Sequence, residues 1–189
     1  MLIVFNKPYG VLSQFTADGS PNRTLAEFCF PKNVYPLGRL DADSEGLLLL
    51  SDEPELNALL LSPRHGHSRT YWAQVENIPS DQALKKLQGG IVLQQQETLP
   101  CSVRVLSPQP EPAERIPPIR VRKNIPACWI ELELTEGKNR QVRKMTAAAG
   151  HPTLRLIRVK IGGYSLEDLK SGQWKAIDQK ARTRILKER

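Results

Sequence analysis

Three carboxylates stand directly before four consecutive leucines in "LGRLDADSEGLLLL", residues 37–50. A leucine run of this kind is buried, so Asp41, Asp43 and Glu45 are held at the rim of a core. The residue types allow a metal loop, a solvated turn, or one reactive carboxylate with two bystanders. Asp41, Asp43, Glu45, Gly46 and Asp52 follow the register of an EF-hand calcium loop. That reading puts Leu49 at the ninth position and an aspartate in place of the bidentate glutamate, and it forces the leucines toward solvent. No metal is therefore expected. The alternative is that Gly46 opens a buried element and leaves Arg39, Leu40 and Asp41 at its lip. A carboxylate there suits nucleophilic or acid–base chemistry. On the local residues alone, a turn or capping aspartate is the stronger reading.

Two further stretches carry chemistry. "EGKNRQVRKMTAAAGH", residues 136–151, reads as a helix from Asn139 to a stop at Gly150. That helix places Arg140, Arg143 and Lys144 on one face and packs Val142, Met145 and Ala149 on the other. A basic face behind a glycine-led start suits a phosphodiester backbone; the same arginine could instead fix a buried carboxylate. "RTYWAQVE", residues 69–76, alternates as a half-exposed strand, with Tyr71, Ala73 and Val75 facing inward and Trp72 outward. Aromatic rings in a basic protein offer stacking platforms for unpaired bases, although one of this pair must be core.

Other segments supply the frame for these groups. "LIVF" (2–5) reads as a buried strand leading into the Lys7–Gly10 turn, and "TLAEFCF" (24–30) as a short helix. Periodicity leaves "GLLLLS" (46–51) open between a buried strand and a helix start. "EPELNALLLSP" (53–63) reads as a helix, and "SDQALKKLQGG" (80–90) as one with a serine cap and a glycine stop. "IVL", "CSVRVL", "CWIELELT" and "LRLIRVKI" add strands. Few helices and many non-local strands argue for an α+β fold around a mostly antiparallel sheet.

Length and composition narrow the class. The 189 residues suffice for one domain or two small lobes with an ordinary core. No apolar stretch reaches the roughly 20 residues of a membrane span, and the N-terminal stretch is wrongly flanked for a signal peptide, so a soluble cytoplasmic protein is expected. Cys29, Cys101 and Cys128 are too far apart for a metal knuckle and odd in number for a disulfide framework. Net charge is uneven: residues 1–60 carry 4 Lys/Arg against 8 Asp/Glu, and residues 101–189 carry 19 against 9. Basic charge gathered in one half suits a polyanion partner, and equally a merely soluble basic protein. The proline-rich stretch 108–126 holds Arg115, Arg120, Arg122 and Lys123 and reads as a solvated crossover or a phosphate-tracking arm.

Taken in order, these motifs resemble the pseudouridine synthases of the RsuA type. "NKPYGVLSQF" resembles that family's first motif, "GRLDADSEGLLLLSD" its catalytic motif, "TYWAQV" its tyrosine motif and "EGKNRQVRKM" its third motif. The resemblance runs from Lys7 to about Trp174. The small RNA-binding domain that opens many members is missing before the first motif, which makes the chain look most like the E-type large-subunit subgroup. That subgroup acts on one uridine in the peptidyl-transferase domain of 23S rRNA.

The resemblance implies that Asp41 is the catalytic aspartate, that Tyr71 contacts the target base, and that Arg143 pairs with the aspartate. The reaction breaks the C1′–N1 bond, turns the base over and rejoins it through C5, so no cofactor is needed. Whether Asp41 attacks covalently or moves a ribose proton stays open at this point. The expected RNA-contacting residues are Lys7, Arg39, Arg120, Arg122, Lys123, Lys138, Asn139, Arg140, Lys144, Arg155 and Arg158. The expected architecture is a two-lobed α+β monomer, residues 1–62 and 63–189, with flanking helices and a catalytic cleft between the lobes. The extreme C-terminus is expected to pack on the first lobe. The expected partner is 23S rRNA or a large-subunit assembly intermediate.

Overall fold

The computed structural model of the protein describes residues 1–62, 66–93, 95–119, 125–166 and 169–186. In chain order these form β1 (Leu2–Lys7), a 3-10 helix at Leu25–Phe28, β2 (Tyr35–Leu37), β3 (Glu45–Ser51), α1 (Glu55–Leu61) and β4 (Arg69–Glu76). Then come α2 (Asp81–Gly89), β5 (Val92–Leu93), β6 (Gln96–Glu97), β7 (Ser102–Val105) and β8 (Ala127–Leu134). The last third holds α3 (Gln141–Ala148), β9 (Thr153–Ile161), β10 (Tyr164–Ser165), β11 (Trp174–Ala176) and α4 (Gln179–Leu186). This is the α+β class expected. The ladders β1–β3, β1–β11, β2–β3, β4–β8 and β7–β8 are antiparallel, and β3–β9 is parallel.

Packing divides the chain into two compact units, residues 1–67 with 157–189, and residues 68–156. The first boundary falls just beyond the expected residue 62. The return to the first unit begins at Ile157, well before the extreme C-terminus, because β9 pairs there with β3 through Glu45↔Ile157 and Gly46↔Arg158.

In the first unit, β1 lies between β3 and β11, with Val4 opposite both Leu49 and Lys175. The other edge of β3 is shared between β2, which covers Leu49–Ser51, and β9, which covers Glu45 and Gly46. Leu47 and Leu49 pack with Leu2, Val4, Leu56, Leu60 and Ile161. Leu48 and Leu50 take the opposite face with Ile3 and Phe5, whose ring meets Phe28 and Phe30 at 4.8 and 5.1 Å. A strand bonded on both edges and packed on both faces needs no polar alternation, which explains the unbroken leucines. Burying each contributes about 1.5–3 kcal/mol. The calcium register fails for the same reason, since its second half is this buried strand.

In the second unit β8 lies between β4 and β7, antiparallel to both. Ala73 and Val75 of β4 and Ile130, Leu132 and Leu134 of β8 turn one face toward Leu87 of α2 and Val142 and Met145 of α3. The opposite face is polar: Trp72 Nε1 donates to Glu131 at 3.1 Å, and Arg104 pairs with the same carboxylate at 2.8 Å. The expected strand at 69–76 is therefore β4, with Tyr71 packed against the core cluster. Ser80 caps α2 through the Ala83 amide, as its position suggested.

Candidate active site

Asp41 stands in a short turn that β2 and β3 hold at its two ends. The Ser44 amide donates to the Asp41 carbonyl at 3.0 Å, closing the turn, and the Gly10 amide donates to the Ala42 carbonyl at 2.7 Å. Asp41, Ala42 and Asp43 are half-buried, whereas Ser44 and Glu45 are buried. Gly46 follows with φ +100°, and a Cβ there would lie 2.3 Å from the Arg158 carbonyl oxygen. Only glycine lets β9 come this close, and the approach fixes where the turn ends.

Tyr71 and Arg143 belong to the second unit. Tyr71 is half-buried on β4, opposite Leu132 of β8. Arg143 is half-buried on α3 and donates through Nη1 to the Thr153 carbonyl at 3.3 Å. The helix that carries it starts later than expected. Gln141 donates to Glu136 at 2.6 Å and accepts from the Lys138 amide at 2.9 Å, which ties the preceding loop to the first helical residue. Arg140 then adopts a left-handed conformation, φ 50°, outside the helix. The single helical face of Arg140, Arg143 and Lys144 is thereby corrected: only Arg143 and Lys144 lie on α3.

Residues 1–148 match the family model described as RNA pseudouridylate synthase. The chain belongs to this family. It is 53% identical over 96% of its length, and 97% of the relative's, to the Ribosomal large subunit pseudouridine synthase E of Xanthomonas campestris pv. campestris. It is 49% identical over 93% of its length, and 73% of the relative's, to the protein of the same name from Vibrio parahaemolyticus. Among solved structures, a pseudouridylate synthase crystal structure superposes with a TM-score of 0.79 at 25% identity, covering 97% of this chain and 73% of that one.

Pseudouridylate synthases must hold RNA, and the basic residues expected to do so divide by burial. Arg39, Lys138, Asn139 and Arg140 are exposed, and Lys144 is half-buried with its ammonium on the Asn139 side-chain oxygen at 3.2 Å. Lys138 is partly engaged, donating to the Glu97 carbonyl at 2.7 Å and facing Glu136 at 3.4 Å. Arg120, Arg122 and Lys123 lie outside the described residues.

Three others, Lys7, Arg155 and Arg158, are buried rather than exposed. Lys7 is fully buried, and its ammonium donates to the carbonyls of Pro8 at 3.0 Å and Val11 at 2.7 Å. Burial pushes that ammonium down to about 7, against the pull of Glu45, Asp43 and Asp41. Arg158 is buried and donates through Nε to the Leu47 carbonyl at 2.7 Å, so it fastens β9 to β3. Arg155 is likewise buried. Of the cysteines, Cys29 is exposed, Cys101 half-buried and Cys128 buried, and burial pushes the Cys101 thiol up to about 11. Sequence reasoning gave no role to Ser13, which is buried beside the turn; its place inside the first motif, "NKPYGVLSQF", was its only signal. Among the described residues no helix is long and apolar enough to cross a membrane.

Proposed function

We propose that the protein isomerises one uridine in the peptidyl-transferase domain of 23S rRNA to pseudouridine, with Asp41 as the reacting carboxylate. The observation that carries this reading is the near full-length similarity to relatives named large-subunit pseudouridine synthase E. The reaction is balanced within the nucleotide: C1′–N1 breaks, C1′–C5 forms, N1 gains a proton and C5 loses one. Asp41 acts at the ribose or the base, Tyr71 contacts the base and relays the C5 proton, and Arg143 is the cation that partners the carboxylate. The turn geometry supports this role, since a reacting group must be held in one place. The enzyme works as a monomer on rRNA or on an assembly intermediate.

Charge supports an RNA substrate as well. Residues 68–156 carry 13 Lys/Arg against 8 Asp/Glu, net +5, while the remainder carries 14 against 12, net +2. Lys138, Asn139 and Arg140 are exposed just before α3, and in this reading they track phosphates. The target base must leave its stack, and basic contacts to its strand offset part of that cost.

The test is Asp41→Asn on unmodified 23S rRNA, read by chemical mapping of pseudouridine and by RNA binding. Pseudouridine formation should fall by about 10⁴-fold or more while affinity stays nearly unchanged. Product formed at the wild-type rate would remove Asp41 from the chemistry. Mapping of rRNA from cells lacking the protein should then show one large-subunit pseudouridine missing.

A further inference from the structure

We propose that Ser13 is a positioning residue of the isomerisation, whose hydroxyl fixes the backbone on which Asp41 stands. The inference rests on the assignment of Asp41 made above. Ser13 is buried, and its Oγ donates to the Leu40 carbonyl at 2.7 Å while accepting from the Leu40 amide at 3.0 Å. One hydroxyl thus takes both backbone groups of the residue that precedes Asp41. Leu40 is itself buried, so removing the hydroxyl leaves an interior amide and carbonyl without this partner.

Ser13 can hold Leu40 because it is itself held. The Leu12 amide donates to Arg23 at 2.8 Å, the Arg23 amide to Gly10 at 3.0 Å and the Leu25 amide to Gln14 at 2.9 Å. Val11 and Arg23 form a parallel bridge, so residues 10–14 are stitched along residues 23–25. The Lys7 ammonium ties the Pro8 and Val11 carbonyls from beneath. Asp41 is consequently bracketed: Leu40 is fixed by Ser13, Ala42 by Gly10, and the Asp41 carbonyl by Ser44.

The Gly10 and Ser44 ties run from backbone amides and use no side-chain atom. Of these three ties only the one to Leu40 uses a side chain, and it needs a group that donates and accepts at once. Serine and threonine qualify, whereas alanine offers nothing and a thiol is weak in both roles. Loss of the tie frees the chain on the N-terminal side of Asp41, and a misplacement of about 1 Å costs up to about 10²-fold in rate.

The experiment compares Ser13→Ala, Ser13→Cys and Ser13→Thr with Asp41→Asn in the full chain on unmodified 23S rRNA, at a temperature where each variant is folded. Ser13→Ala and Ser13→Cys should lower kcat about 10- to 100-fold with KM within about twofold, and Ser13→Thr should recover most of kcat. A role in stability alone would lower Tm without separating kcat from KM. Should Ser13→Ala fail to fold, the Cys and Thr variants decide. Wild-type kcat in Ser13→Cys, with Asp41→Asn inactive, overturns the positioning role alone; activity in Asp41→Asn overturns the catalytic assignment beneath it.

Discussion

The two units each bury a sheet against helices, and each also buries charged side chains: Arg69, Glu136 and Arg155 in residues 68–156, and Lys7, Glu45 and Arg158 in the other. In residues 68–156 the core cluster is aliphatic, from Ala73 and Val75 through Ile130, Leu132 and Met145. Its proposed functional residues, Tyr71 and Arg143, are half-buried on an ordinary strand and helix. The other unit buries Lys7, Glu45 and Arg158 outright, all close to the Asp41 turn. Interior charges of that kind are costly and add little net stability. What they and the buried hydroxyl of Ser13 contribute is a fixed backbone. The turn-bearing unit thus sets its buried polar groups beside the turn where position matters most, whereas residues 68–156 carry Tyr71 and Arg143 on a regular strand and helix.

That contrast can be broken by experiment. The largest effect is expected at Gly46, where a substitution is strained at φ +100° and drives a Cβ into the Arg158 carbonyl. Gly46→Ala should cost roughly 4 kcal/mol in urea unfolding, and near-wild-type stability would show that β9 does not press on this residue. In the aliphatic core, Ile130→Ala should cost about 3 kcal/mol, with kcat unchanged at temperatures where the variant is folded. A selective fall in kcat would blur the division between the units.

Lys7 provides a smaller, pH-dependent effect. Its folded value of about 7 lies below the ordinary 10.5 because burial disfavours the charged form. Between those values the unfolded chain binds a proton that the folded chain lacks, so the Lys7 contribution becomes more favourable as pH rises; below about 7 its full burial cost is present. Wild type should therefore gain roughly 1–2 kcal/mol on Lys7→Met between about pH 7 and pH 9. Parallel curves for the two proteins would mean that Lys7 titrates normally.

The smallest effect belongs to Glu53 at the rim of the same unit, where Arg182 grips both carboxylate oxygens at 2.6 and 2.5 Å. That guanidinium, helped by the Met1 amine, pulls the carboxyl down to about 2. Its stabilisation is complete above the ordinary value of 4.5 and is lost as pH falls from there toward about 2. The pair is partly exposed, so Glu53→Gln should cost under about 1 kcal/mol at neutral pH. Acid melts of the two proteins should converge at the bottom of that range.

Legibility in the sequence follows the same division. Strict alternation marked β4 at residues 69–76, and Ser80 with the glycines after it bounded α2 closely, because these elements obey local rules. The leucine run stayed ambiguous because its partners are remote in sequence, and β10 and β11 are too short to carry a period of their own. Lys7 and Arg158 read as surface cations because residue type suggests exposure, and only the tertiary contacts place them inside. Arg140 was taken for a helical residue because nothing local announces how Gln141 ties down the loop. The role proposed for Asp41 rests on the order of four motifs, not on its neighbours.

The partners of β3 also set an order of events during synthesis. Leu47 and the Arg158 that fastens it are 111 residues apart, and β11, the other neighbour of β1, comes later still. A growing chain exposes "GLLLL" long before its parallel partner exists, while residues 68–156 can close earlier. The high sequence separation makes the Asp41-bearing unit the slower one to complete. Ribosome-bound chains stopped near residue 150 should leave the leucine strand open to protease, and those extended past Ala176 should protect it.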